Sequence, residues 1–277
     1  DVACYGLVLG AAVVRVFVPL VAPSLSLAAV LLSATLWSAA ALWVHLALLG
    51  VLHAPGWTGL QLALDLVLFI MAVMAGRVLP MFTNNGVPGA RATRQVWLER
   101  LALGSVLLLL AADAGQLQGS WLVAIAALGA AAHLARWYLW QPWKTLRTPI
   151  VWVLHAAYLW VPVHLLLRGL AALGWVPAST ATHALMVGAA GGLIIGMMTR
   201  TARGHTARPL RADRADVACY GLVLGAAVVR VCVPLVAPSF SLAAVLLSAT
   251  LGSAGFGLYA LRYWPVLTRP RLDGKPG

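Results

Sequence analysis

Apolar runs of about 20 residues, each long enough to cross a hydrocarbon core as a helix, recur along almost the whole of this chain. Nine such stretches stand at 2–21, 25–50, 58–82, 97–113, 118–138, 150–173, 180–200, 217–236 and 239–263. In lipid no water is present to pair with exposed backbone, so each run is expected to satisfy its own N–H and C=O groups by forming a helix. Of the 277 residues, 62% are hydrophobic and 9% charged, with a mean hydropathy of +0.92. A soluble domain carries roughly 25% charged residues. The expected fold is all-α: a polytopic transmembrane helix bundle of about nine spanning helices with the lipid bilayer as its solvent.

The charges that remain sit between the runs. Arg91 and Arg94 fall in 83–96, Lys144 and Arg147 in 139–149, and Arg203, Arg208, Arg211 and Arg214 in 201–216, with Arg269, Arg271 and Lys275 in the tail. The alternate connections, 51–57, 114–117, 174–179 and 237–238, carry no charge. Short cytoplasmic loops collect Lys and Arg, so this alternation puts the C-terminus in the cytoplasm. A net charge of +12 spread this way forms no single basic patch, and no nucleic-acid partner is expected. The stretch RWYLWQPW, 136–143, fits an aromatic belt at the cytoplasmic interface.

One feature conflicts with the alternation. Residues 1–39 recur at 216–254 with 36 of 39 positions identical, the differences being Phe17 for Cys232, Leu25 for Phe240 and Trp37 for Gly252. Internal repeats of transporters survive only as weak similarity. By the loop charges the first copy begins outside and the second inside, so one hairpin would have to insert both ways up. We therefore divide the chain into a duplicated hairpin, 1–39, foreign to this position through duplication, engineering or an assembly error, and a native bundle, 40–277. The start at Asp1, with neither Met nor a basic n-region, suggests no signal peptide and a piece of something longer. Cys4, Cys219 and Cys232 form no CxxC, and the last two, 13 residues apart on one helix, stand about 20 Å apart, too far to share a metal.

Polar groups inside a bilayer are costly and point first to function. Seven histidines are candidates: His45, His53, His133, His155, His164, His183 and His205. Neutral imidazole is a common ligand of haem and copper. His155 and His164, nine residues apart, face about 180° apart and cannot serve one haem, whereas His155 and Tyr158 share a face. Gly188, Gly192 and Gly196 form a small-residue stripe that lets another helix approach, with His183 and Met186 turned away from it. Arg15 and Arg230 lie within apolar runs, where an unpaired charge costs at least about 2.5–3.5 kcal/mol. Asp65, Asp113 or an anion such as a haem propionate would compensate Arg230, or its side chain would snorkel to the nearer interface. Arg77 and Arg200 are expected at helix C-termini, against the helix dipole. No GxSxG, Walker loop, HExxH or CxxCH is present, so hydrolytic, nucleotide-driven and covalent c-type haem chemistry lack support.

Two stretches, AGRVLPMFTNNGVPGAR at 75–91 and HALMVGAAGGLIIGMMTRTARGHTARPL at 183–210, resemble the NnrS family of bacterial membrane proteins; VLHAAYLWVPVHLLLRGL at 153–170 and RYWPVLTRPRLDGKPG at 262–277 extend the likeness from about residue 40 to the end. The resemblance implies a multi-pass protein of the bacterial inner membrane, associated with haem and copper and with responses to nitric oxide, nitrosative stress and denitrification. The positions that match it are Arg77, Thr83, Asn84, Asn85, His155, Tyr158, His183, Thr199, Arg200, Gly204, His205, Thr206 and Arg208. From these and Arg230 the candidate cofactor-binding set is His155, Tyr158, His183, His205, Arg208, Arg77 and Arg230, with His155, His183 and His205 as metal ligands. Family members carry further N-terminal helices with a histidine of their own, which the duplicated hairpin replaces here. A small-anion transporter or channel using Arg230, and an inactive rearranged fragment, are the competing readings.

The loop charges generate a direct test. Single cysteines placed at Arg94, Arg147 and Arg211 are expected to react with a membrane-impermeant thiol reagent from one side only; reaction from opposite sides would remove this topology.

Overall fold

A computed structural model describes residues 27–51 and 55–274, with side chains from residue 37 onward. The first apolar run, Arg15, His53 and most of the first repeat copy lie outside the described residues. Every regular element among the described residues is helical. The described residues divide into two compact units, one up to residue 70 together with 106–118 and the other 71–105 together with 119–274.

Helix α1, Leu27–Leu48, and the N-terminal part of α2, Trp57–Gly86, belong to the first unit. They cross closely at Gly59, where an added Cβ would stand 2.6 Å from the Ala40 carbonyl oxygen. Helix α3, Val96–Ala114, contributes its C-terminal half to this unit and its N-terminal half to the other.

The second unit holds the C-terminal part of α2 and the remaining helices: α4 (Ser120–Leu139), α5 (Pro149–Tyr158), α6 (Trp160–Ala172), α7 (Ala178–His183), α8 (Gly191–His205), α9 (Arg214–Val236) and α10 (Ser241–Leu267). The expected run 150–173 is one rod interrupted at Leu159. Pro162 explains the break, because its ring supplies no N–H and crowds the carbonyl of Tyr158, four residues back. The run 180–200 is likewise one rod, Ala178–His205, but its Ala184–Ala190 segment is π-helical. Such a segment turns less per residue than an α-helix, and His183 still faces away from the glycine stripe, toward Arg230 of α9.

Six rods among the described residues are long and apolar enough to span a membrane: Trp57–Gly86, Ser120–Leu139, Pro149–Ala172, Ala178–His205, Arg214–Val236 and Pro238–Leu267. The 19-residue α3, which carries Glu99, Arg100 and Asp113, is not among them.

Small residues set how closely the rods pack. A Cβ on Gly188 would run into the Trp160 indole, one on Gly192 would lie 2.7 Å from Ala157 Cβ, and one on Gly196 would lie 2.7 Å from Leu154. All three glycines of the stripe therefore face the α5–α6 rod. Helices α9 and α10 form an antiparallel hairpin, held where Ser248 Oγ donates to the Ala226 carbonyl at 2.8 Å and where Gly255 lies against Val223.

The arginine-rich connection is tied down by charge. Asp213 caps α9 by accepting from Ala215 N and Asp216 N, and Asp216 reciprocates toward Asp213 N, a complete capping box. Arg203 bridges Asp216 and Asp213, donates to the Tyr263 hydroxyl at 2.9 Å, and Tyr263 in turn donates to Asp216 at 2.9 Å. Arg262 adds a 2.7 Å contact to Asp213. The cluster joins α8, α9 and α10 at one end.

Burial on its own would push the Asp213 carboxyl up, but the Arg262 hydrogen bond, the Asp216 N–H and the charges of Arg262 and Arg203 outweigh it and bring the pKa down to about 2. The folded state therefore holds the carboxylate more tightly than the unfolded one, whose reference is 3.8. Its contribution is complete above that value and is lost as pH falls toward about 2. Asp213→Ala is expected to destabilise the fold by about 1 kcal/mol through loss of the cap. Asp213→Asn is expected to keep the cap while flattening the loss of stability between pH 4 and pH 2, read by detergent-phase thermal unfolding.

Candidate functional site

Four helices of the second unit bring polar side chains into one buried core. Helix α4 presents His133 and Arg136 at i and i+3, on one face, and α5 presents His155 and Tyr158 at the same spacing. Both pairs are buried, and α2 and α3 supply the remaining partners.

The donors and acceptors can be followed atom by atom. Arg136 is 1% exposed. Its Nη1 donates to Glu99 Oε2 at 3.1 Å, its Nη2 to the Ala72 carbonyl at 2.5 Å and its Nε to the Tyr158 hydroxyl oxygen at 2.7 Å. His133 Nε2 lies 3.1 Å from the Ala102 carbonyl, which only accepts, so that nitrogen carries the proton. His133 Nδ1 is then an acceptor, and the Tyr158 hydroxyl donates to it at 2.5 Å. Arg136 already occupies the carboxylate Glu99, so the bookkeeping closes with a neutral imidazole. The result is one ordered line: Glu99 carboxylate, Arg136 guanidinium, Tyr158 hydroxyl, His133 ring, Ala102 carbonyl. Arg136 also lies over the Trp140 ring at 4.9 Å and the Tyr158 ring at 5.2 Å. Gly76 makes room for this, since a Cβ there would stand 2.6 Å from Glu99 Oε2.

His155 joins the core from the neighbouring turn of α5. Its Nε2 lies 2.7 Å from Thr83 Oγ1, and Thr83 gives its single hydroxyl proton to the Leu79 carbonyl at 2.8 Å. His155 Nε2 must therefore donate, leaving Nδ1 as a bare lone pair. Nδ1 is buried without a partner, as are Glu99 Oε1 and Trp140 Nε1. Buried polar atoms are nearly always paired, so three orphans among residues that share neighbours call for a physical account.

The other candidates lie elsewhere. His183 Nε2 sits 2.8 Å from Arg230 Nη2; guanidinium can only donate, so His183 accepts and is the partner Arg230 has. His164 Nδ1 meets the Ala181 carbonyl at 2.7 Å. His205 is exposed at the end of α8, where Thr206 bonds back to Ala202 O and Ala207 takes a left-handed φ of 57°, so GHT terminates a helix. Arg208 reaches the Val266 carbonyl at 3.5 Å.

Arg77 and Arg200 do not stand at helix ends. Helix α2 runs nine residues past Arg77 and α8 five past Arg200, whose guanidinium lies 3.7 Å from the Phe82 ring centre. Asn84 is architectural: its side chain donates to Ala92 O and accepts from Ala92 N, at 3.0 and 2.7 Å, closing the loop after α2. The structure thus joins His155 to Thr83 and His183 to Arg230, and it does not bring His155, His183 and His205 together. No group of three metal-ligating side chains occurs among the described residues.

Glu99, Arg136 and His133 were not singled out from the sequence as site residues. The available signal was the repeated i, i+3 pairing of His133 with Arg136 and of His155 with Tyr158. Trp140, expected in the interfacial belt, is fully buried beneath Arg136, while Tyr138 and Trp143 are exposed as a belt requires.

Compared with known proteins, a family model described as NnrS protein matches residues 38–271. No curated protein and no solved structure matches the chain.

Removing one end of the buried pair is expected to cost more than removing the phenol. Arg136→Leu leaves the buried Glu99 with only the longer 3.9 Å contact to the half-exposed Arg94 and should destabilise by about 3 kcal/mol. Tyr158→Phe leaves His133 Nδ1 without its donor and should cost about 1–3 kcal/mol. Thermal unfolding of the purified variants measures both; equal, negligible shifts would show that the network does not hold the core.

Proposed function

The chain belongs to the NnrS family, and from that premise we propose that it is a haem- and copper-associated protein of the bacterial inner membrane that acts in the response to nitric oxide. The family match covers most of the chain, and the six apolar rods make it a multi-pass membrane protein. In this reading about nine helices span the bilayer, with the arginine-bearing connections and the C-terminus on the cytoplasmic side, as the short-loop charge bias requires.

The observation that carries the cofactor reading is His155. A metal centre needs a neutral nitrogen with an available lone pair and a second-shell bond that fixes the ring. His155 has both, the lone pair on Nδ1 and the Thr83 bond on Nε2. His183 fits less readily, because its Nε2 is engaged by Arg230 and would have to release it. A bound haem or copper would supply an open coordination position for a diatomic such as nitric oxide. The protein's own residues would hold the group through His155, one turn of α5 from the buried line in which Arg136 donates to Tyr158 and Tyr158 donates to His133.

Purified chain supplied with haem is expected to show a Soret band that His155→Ala removes and that Thr83→Val weakens. Copper is followed separately by elemental analysis of the same preparations. A protein that stays colourless with haem present, or an unchanged spectrum in His155→Ala, would overturn the assignment.

A further inference from the structure

Away from the Arg136 core, a cavity of about 370 Å³ opens between the π-helical segment of the 178–205 rod and the α9–α10 hairpin. Its walls are apolar: Met186, Val223, Val245 and Phe256 are representative. Arg230 lines it as well. That guanidinium has His183 as its sole hydrogen-bonding side chain and no carboxylate within ion-pair distance among the described residues. Ser248 also lines the cavity, but its hydroxyl proton is committed to the Ala226 carbonyl. The lining therefore offers one cation and otherwise hydrocarbon.

The position of that cation matters. Arg230 lies six residues before the end of α9 at Val236, or about 9 Å along the axis, and Val223 lies seven residues deeper, about 10 Å further into the rod. A charge so placed within a spanning helix is costly unless something neutralises it. Gly252 lines the same cavity, whereas Trp37 stands at the matching position of the otherwise nearly identical first repeat copy. At that position the absence of a side chain keeps the space open.

We infer that this cavity is a binding site for a long-chain fatty acid, its carboxylate on Arg230 and its hydrocarbon chain along the apolar walls toward Phe256. Guanidinium and carboxylate match in charge and in planar geometry. A single acidic head on an apolar body leaves no polar group unmatched in a lining with one donor residue. A phospholipid head, with its ester and phosphate oxygens, would bury several acceptors without partners, at about 1–3 kcal/mol each. The inference does not rest on metal or haem binding at His155, and its test uses haem-free protein.

The experiment is photolabelling of the full chain in detergent by palmitate carrying a terminal diazirine. Saturable labelling of α9 and α10 peptides is expected, displaced by unlabelled palmitate and not by hexadecanol, which lacks the charge. Arg230→Gln is expected to reduce labelling about tenfold or more, the scale of one charge-assisted hydrogen bond, and Arg230→Lys to reduce it less. Gly252→Trp, which leaves the Arg230–His183 pair in place, is expected to abolish labelling by filling the cavity; it decides the matter should Arg230→Gln not fold. Equal labelling of wild type and Gly252→Trp, equal displacement by hexadecanol, or displacement by haemin or anionic phospholipid but not by palmitate would overturn the assignment.

Discussion

A guanidinium sealed from water must find acceptors for its donors, and Arg136 finds them on three other helices. It binds Glu99 on α3, the Ala72 carbonyl on α2 and the Tyr158 hydroxyl on α5, from its own seat on α4. Such a pair contributes little net stability over an apolar substitute, yet breaking it is severe. Its effect is on geometry. With Arg136 in place, the Tyr158 hydrogen can point only at His133, and the His133 tautomer is set by the Ala102 carbonyl. Lipid-facing apolar surface could not impose this order, because hydrocarbon packs against hydrocarbon in many registers.

The second unit handles its cations in contrasting ways at two places. Around Arg203 two carboxylates and a tyrosine meet two arginines, and the cluster doubles as the N-cap of α9. Arg230, near the other end of the same helix, has only a neutral imidazole. A satisfied cluster is architecture. Arg230 lies within a membrane-spanning helix beside an apolar cavity, and its side-chain partner among the described residues is a neutral imidazole.

The histidines divide by the same accounting. His133, His164 and His183 each have a ring nitrogen held by a carbonyl, a hydroxyl or a guanidinium. His155 too is held at one nitrogen, Nε2, by Thr83, and its buried Nδ1 beside the Arg136 core makes it a ligand candidate there. The π-helical segment also has a consequence, since it follows His183 directly and alters the face that Met186 and Gly188 present. Within the family the chain belongs to, these are the features through which cofactor binding can be tested residue by residue.

Hydropathy alone determined that these segments are helices and that lipid is their solvent, because backbone in hydrocarbon has almost no alternative. The same reading located the glycine stripe, the His155–Tyr158 face and the positions of the family resemblance. It was silent on Glu99, gave His133 only as one of seven candidate histidines and Arg136 only as the start of an aromatic belt, and it assigned Trp140 to an interface and Arg77 and Arg200 to helix ends. Each of these depends on which side chains from distant parts of the chain meet. Which charge is neutralised, which nitrogen holds the proton and which lone pair stays open were decided only by tertiary structure, since hydrogen bonding is a property of pairs and one strand of sequence names only single members.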